Sequence, residues 1–361
     1  MIRSKHMWLV LVLVSAVCLA RTARAAEAEQ EKQKIDPVQG SITFGGTYVG
    51  VNDDEEKFRE DTGTYDEGTA GIRHLELFVP GEGWELEASG RGMYPGDYAA
   101  MTRITKPGLG FVEVDYDEFD TYDDSSNLFY GFAPFIYERD KDLVKTWRDA
   151  TLTLGLTRPN VPKVTLRLNR WEKFGEGSLL HGGGVTDGDV TFNRFPLFED
   201  IDQGRNRISL DVTHQIGNFD VRFTETFQEF DGRDEVINFE FDSDGSLNQF
   251  RPASFEPENK SWIHSLEVSG DIVEDVLRLD VSGEYTDMKT DTTYDENAFD
   301  ATGAPTPFEF AYNFTDSEHE GDLWRSVWNT RLTFTPDDVW TFFGGIGRKD
   351  EYDNHVSIKN V

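Results

Sequence analysis

The sequence predicts an all-β fold, a transmembrane antiparallel up-and-down β-barrel of about 14 strands. Three observations predict it. Hairpins with a period of two recur along the chain, short and long connections alternate, and a secretory leader is followed by no apolar run long enough for a helical span. The clearest hairpin is DATLTLGLTRPNVPKVTLRLNRW at 150–172. There Leu152, Leu154 and Leu156 alternate with threonines and glycine, a turn at Arg158–Pro162 follows, and Val164, Leu166 and Leu168 alternate with Thr165, Arg167 and Asn169. One apolar and one polar face follow from that spacing.

Residues 1–25 read as a secretory signal peptide: Arg3 and Lys5 precede an apolar run from Met7 to Ala20, and Ala23-Arg24-Ala25 is a small-x-small cleavage site. The one cysteine, Cys18, lies inside this leader, so the remainder offers no disulfide, no thiolate metal site and no C-x-x-C-H haem attachment. The full chain carries a formal charge of −33, and removing a basic leader makes the rest more acidic still, which argues against nucleic acid as a partner. An acidic excess of this size favours disorder, yet 13% aromatic residues and clear strand patterns point to a fold. Residues 26–38 lack a core pattern and read as a periplasmic N-terminal tail, with the barrel over 39–361.

From Gln39 onward every segment reads as strand. QGSITFGGTYVGV opens the series. GIRHLELFV and GWELEASGRGM flank Pro80-Gly81-Glu82, and AMTRIT and LGFVEVDYDEF flank Lys106-Pro107-Gly108. Three later pairs repeat the opening hairpin, around Ile216-Gly217-Asn218, around 271–275 and around Pro336-Asp337-Asp338. Short turns thus fall near 81, 107, 160, 217, 273 and 337. The other connections, at 52–69, 94–98, 119–149, 174–204, 231–259, 288–323 and 350–354, are mostly long and are expected to be loops. Counting strands in order, the two kinds alternate throughout. A soluble β-sandwich has no need of that parity, whereas outer-membrane barrels pair short periplasmic turns with longer extracellular loops. HVSIKNV at the end begins a further strand, and the expectation is a barrel incomplete at its C-terminus.

A bilayer offers no water to loose backbone groups, so a membrane sheet closes on itself, with lipid on one face and a polar lumen on the other. Leu277, Leu279, Val281 and Tyr285 fit the lipid face. Trp262, Trp324, Trp328, Trp340, Tyr285 and Phe334 fit interfacial girdles. The lumen-facing candidates are Arg167, Asn169, Arg207, Asp211, Arg222, Arg278, Asp280 and Arg331. Arg91, Arg103 and Arg170 also fall within strands, with Glu85, Glu87, Glu113 and Glu225 among the acids expected opposite them. Ladders of both signs suit a water-filled channel or a surface that grips a protein plug; they equally suit cross-strand pairing that satisfies charge.

Catalytic signatures are sparse. The histidines form no H-E-x-x-H and no i, i+4 pair, and His214 and His264 read as structural. HGGGV at 181–185 has no G-x-S-x-G partner and reads as a loop tip. No nucleophile and base can be assembled, so the expectation is a protein that is not an enzyme. Asp115, Asp117, Asp120, Asp123 and Asp124 form the densest acidic loop, where bound Ca²⁺ is the alternative to simple solvation, and Asp242-Ser243-Asp244-Gly245 is only faintly EF-hand-like.

The stretch 38–79, with V-x-G-S-x-T-F-G-G in the first strand and K-F-R-E-D-T-G before the second, resembles the MtrB/PioB family of outer-membrane barrels; Y-D-E at 116–118 adds to the likeness. The resemblance covers roughly the first third. It implies a sheath for a periplasmic multihaem c-type cytochrome, through which electrons cross the outer membrane. The Cys-x-x-Cys that some members carry near the N-terminus is absent. The expectations are therefore an outer-membrane location and a porin-like conduit, with lipid and lipopolysaccharide around it. The alternatives are a passive porin for small hydrophilic solutes and a cation-bridging or adhesive surface barrel.

Overall fold

The computed structural model describes residues 37–354, apart from 53, 64–68, 95, 124–142, 188–189, 242–246, 298, 301, 306–317 and 338. The predicted signal peptide, most of the tail, Asp124, Asp242–Gly245 and HVSIKNV lie outside the described residues. The elements are β1 Gln39–Thr47, α1 Glu55–Thr62, β2 Thr69–Gly81, β3 Trp84–Tyr94, β4 Asp97–Lys106, β5 Gly110–Asp123, β6 Leu143–Leu156 and β7 Lys163–Asp187. They continue as β8 Val190–Ile216, β9 Phe219–Phe241, β10 Leu247–Val273, β11 Leu277–Glu296, β12 Phe299–Asp300, β13 Glu318–Phe334 and β14 Phe342–Asp353.

All strands belong to one antiparallel sheet that runs in sequence order from β1 to β14, with the short β12 set aside against β10. This is the predicted all-β, up-and-down architecture of the transmembrane barrel class. The short turns fall where the sequence places them. Gly83, Gly108, Asn160, Gly217 and Asp275 adopt left-handed φ values of 71°, 73°, 60°, 62° and 57°, the conformation that reverses a chain tightly. At the sixth turn the Asp337 carboxylate accepts from the backbone N–H groups of Val339 and Trp340, each at 2.9 Å.

The sheet is a single layer. Buried apolar side chains among the described residues are confined to Leu86, Tyr122, Leu143, Ile201 and Ala253, while Ile208, Phe223, Trp262, Leu266, Trp328, Leu332 and Phe334 stand exposed. A water-soluble sheet needs a second layer to cover its apolar face. Here that face is covered by no other part of the described chain.

Strand register shows how the apolar belt is set. One cross-strand row runs from Gly40 through Leu77, Ala88, Thr102, Val114 and Leu152 to Leu168, Ile208, Phe227 and Trp262, and on through Asp287 and Trp324 to Tyr352. In β2 this row passes through the middle of the apolar positions Leu75, Leu77 and Val79. In β14 it passes Tyr352, above the apolar Phe342 and Ile346. The belt therefore slides along the strands from one side of the sheet to the other, the stagger that tilted barrel strands require. On β13 the belt runs from Trp324 to Phe334. At about 3.3 Å per residue and a tilt of about 40° those ten steps span about 25 Å, the height of an outer-membrane apolar band. Trp324 stacks on Tyr352 at the upper rim, and Phe334 stacks on Phe342 at the lower.

Two expectations are corrected. The connections at 174–204 and 231–259 are chiefly strand: β7, β8, β9 and β10 are 25, 27, 23 and 27 residues long and carry their ladders far past the belt. Backbone pairing continues there, but charged residues such as Asp200, Asp202, Asp231, Arg233 and Asp234 interrupt the alternation that marks a strand in sequence. The connection at 52–69 contains α1. Asp54 caps it by accepting from the Lys57 N–H at 3.0 Å, and Gly63 closes it with φ 66°. Both capping residues are visible in NDDEEKFREDTG, which is the signal that predicts a helix there. The helix rests against the upper end of β5, with the buried Arg59 guanidinium 4.6 Å from the Tyr122 ring.

β1 and β14 lie at opposite ends of a thirteen-strand meander and so run in the same sense; each has one ladder partner among the described residues. They cannot pair antiparallel with each other.

Candidate functional site: the polar face of the wall

Residues between those of the apolar rows form the other face, and two clefts open on it. One, of ≈ 590 Å³, is lined by Glu267, Ser269, Asp280, Asn329 and Arg331 across β10 to β14. The other, of ≈ 350 Å³, is lined by Ser89, Arg91, Met101, Asp115, Asp117 and Asp149 across β3 to β6.

The eight predicted residues share this face. Arg167 stands between Thr153 and Ser209, and Arg207 between Asn169 and Gln228. Asn169 donates to Asp149 at 2.7 Å and to the Thr151 hydroxyl at 2.9 Å. Asp211 accepts from Arg222 Nε at 2.6 Å, from Thr224 at 3.0 Å and from Thr213 at 3.3 Å. Arg278 Nε donates to Asp280 at 3.0 Å, while Arg331, opposite Asp280 in register, lies 5.0 Å over the Phe343 ring. Arg103 and Glu113 pair at 3.0 Å, and Arg91 reaches Asp97 at 3.3 Å and Asp117 at 3.5 Å. The eight are strung around the wall and do not converge on one point.

Two residues expected on this face lie on the other. Glu225 sits in the apolar belt between Leu210 and His264. Arg170, on the same face just above the belt, donates to Glu172 at 3.2 Å. Arg170 lies above the belt, where charge is tolerated on either face, and Glu225 is accommodated within the belt by its hydrogen bond with His264 at 2.7 Å.

The acidic loop is corrected as well. Asp115, Asp117, Asp120 and Asp123 lie in β5, so alternation splits them between faces. Asp123 is held by Lys145 Nζ at 2.7 and 2.8 Å and by the Ser178 N–H at 2.7 Å, and Asp120 by the Thr146 hydroxyl at 2.7 Å. No group of three or more His, Asp or Glu side chains suited to a metal ion occurs among the described residues. HGGGV lies within β7, with a register irregularity between Gly182 and Val185, rather than at a loop tip.

Sequence reasoning missed two groupings. Above the belt, Glu118, Arg148 and Glu172 stand directly opposite one another on β5, β6 and β7, with Arg148 Nε 2.8 Å from Glu118 and Nη1 3.2 Å from Glu172; Tyr116 also hydrogen-bonds Glu118. On the polar face, Phe119 stacks on Trp147 at 5.9 Å and Trp147 meets Trp171 edge-on at 5.7 Å, with Lys173 over Trp147 and Arg205 over Trp171. Strand register brings these residues together, and register is not written in any one strand.

No family model matches the chain, and no curated protein matches it. Among solved structures it is similar to one titled "crystal structure of outer membrane protease OmpT from Escherichia coli", at 12% identity and a TM-score of 0.22, over 86% of this chain and 99% of that one. At that identity and score the likeness transfers no residue and no activity. It does correct one expectation. The neighbour is titled a protease, and the reading of the chain as not an enzyme is withdrawn.

Proposed function

We propose that the chain forms the wall of an outer-membrane β-barrel and makes a charged, water-filled passage across that membrane. The observation that carries this reading is the two-faced single layer. An apolar belt about 25 Å high, bounded by aromatic rings, faces outward, and a continuous charged face with two clefts lies behind it. Lipid replaces the missing second layer, lipopolysaccharide and phospholipid are its surroundings, and the signal peptide supplies the route of export. Small hydrophilic solutes are the cargo best matched to a lumen lined by both charge signs.

The likeness to the MtrB/PioB barrels favours a more particular form, a sheath around a multihaem cytochrome. Of the residues that carry it, Gly40 to Gly46 lie in β1, Lys57 to Thr62 in α1 with Gly63 as its cap, and Tyr116-Asp117-Glu118 in β5. Fractionation of cells expressing the full gene product, followed by purification without heating, tests both forms. An outer-membrane barrel with heat-modifiable mobility that conducts ions in planar bilayers supports the open passage. A haem-staining partner that co-purifies supports the sheath, and a protein found soluble in the periplasm overturns both.

A further inference from the structure

We infer that the polar face of β7 and β8 carries an oxyanion-binding site, built from Arg167, Arg205 and Arg207, that takes a small phosphate or carboxylate group. The inference rests on the passage reading only for its location in the lumen.

The three guanidinium groups are neighbours. Arg205 and Arg207 are two residues apart on β8, and Arg167 on β7 lies diagonal to Arg207, since Arg167 pairs with Ser209 and Asn169 with Arg207. Each stands between neutral residues on both adjoining strands: Arg167 between Thr153 and Ser209, Arg207 between Asn169 and Gln228, Arg205 between Trp171 and Phe230. None of the three has a carboxylate within 4.0 Å among the described residues. That sets them apart from Arg91, Arg103, Arg222 and Arg278 on the same face, each of which has one.

Asp115 acts on Arg167 through space without reaching ion-pair distance, and two other nearby acids are engaged elsewhere. Asp211 is held by Arg222, Thr224 and Thr213, and Asp149 by Asn169 and Thr151. Arg205 Nε is shielded from solvent and has no hydrogen-bond partner in the protein, while its guanidinium lies 5.7 Å over the Trp171 ring. Nε is closed to a ligand, but the two Nη groups of a planar fork held over an aromatic ring are not buried and are suited to a carboxylate or phosphate oxygen. In a chain with a formal charge of −33, three grouped cations with no acid in ion-pair contact raise local anion occupancy where the rest of the surface repels it.

The test is a titration of inorganic phosphate, and separately of acetate, into the full chain folded in detergent, read by calorimetry and by fluorescence of Trp147 and Trp171. Saturable phosphate binding that weakens with added salt is expected. The triple variant R167Q/R205Q/R207Q is expected to bind about tenfold more weakly or worse, because each lost charged hydrogen bond removes a large share of the affinity. Should that variant fail to fold, R167K/R207K keeps the charge and loses the fork; it is expected to fall between the two. K57Q, on α1 and away from the polar face, should match the parent. No saturable binding by the parent, or equal binding by the glutamine and parent proteins, overturns the site. Phosphate binding without ion conductance removes the passage and leaves the site. Conductance without phosphate binding removes the site alone.

Discussion

His264 Nδ1 lies 2.7 Å from Glu225 Oε2 on the apolar face of the wall, with the imidazole stacked between Trp262 and Tyr285. A polar pair in the belt meets its needs internally, so removing one partner strands the other. Glu225→Ala and His264→Ala are each expected to destabilise by about 1–3 kcal/mol, whereas Glu225→Leu with His264→Phe is expected to be near neutral. Urea unfolding in lipid vesicles, arranged as a double-mutant cycle, checks this. Additive single effects would show that the two residues are not coupled.

Gly283 on β11 faces Trp328 on β13, and a Cβ at Gly283 would fall 2.3 Å from the indole ring. Gly283→Val is expected to cost about 1–3 kcal/mol by overpacking. Trp328→Ala in the same chain should relieve most of that clash. An unchanged Trp328 environment by fluorescence in Gly283→Val would contradict the packing.

The Glu118–Arg148–Glu172 ladder ties three strands together just above the belt. Its groups are partly exposed, so Arg148→Ala is expected to cost about 1–2 kcal/mol and Arg148→Lys less than half of that, the loss scaling with the number of carboxylates reached. Amide exchange at the upper ends of β5 and β6 should rise in Arg148→Ala and stay slow in the lower ends.

Asp300 organises a tight turn outside the belt. Its carboxylate accepts from the Thr302 hydroxyl at 2.6 Å, the Thr302 N–H at 2.8 Å and the Ala304 N–H at 2.9 Å. The Thr302 hydroxyl foremost, then the backbone N–H groups, hold the Asp300 pKa below its ordinary value. A lowered folded-state pKa means that the stabilisation is complete above the ordinary aspartate range and is lost as pH falls through the lower, folded value. Protection of the Thr302 and Ala304 amides should therefore survive to a more acid pH than a free aspartate would allow, and Asp300→Asn should abolish that acid transition. A transition at the ordinary aspartate pKa would contradict the turn.

Much of the fold is legible in the sequence for a simple reason. Within the belt one face meets an apolar medium, so Leu152, Leu154 and Leu156 must alternate with polar residues, and Gly83, Gly108 and Gly217 must mark the reversals. Above the belt that constraint ends. β8 and β10 continue for many residues with charge on both faces, and their sequences read as loops. Likewise, the sequence places Arg167 and Arg207 on a polar face by parity alone. It does not reveal that Asp211 belongs to Arg222, nor that Trp171 lies beside Arg205, because both depend on which residue of one strand faces which residue of the next.

The most direct test of the two-faced wall is a pair-by-pair accessibility scan on β10. The sequence holds one cysteine, Cys18, so single cysteines at Leu266, Glu267, Val268 and Ser269 can be placed on a Cys18→Ser background in the full chain, reconstituted in lipid vesicles. Spin labels at Leu266 and Val268 should collide with a lipid-soluble relaxant, and those at Glu267 and Ser269 with a water-soluble one. Equal access of the water-soluble relaxant to all four positions would contradict the account.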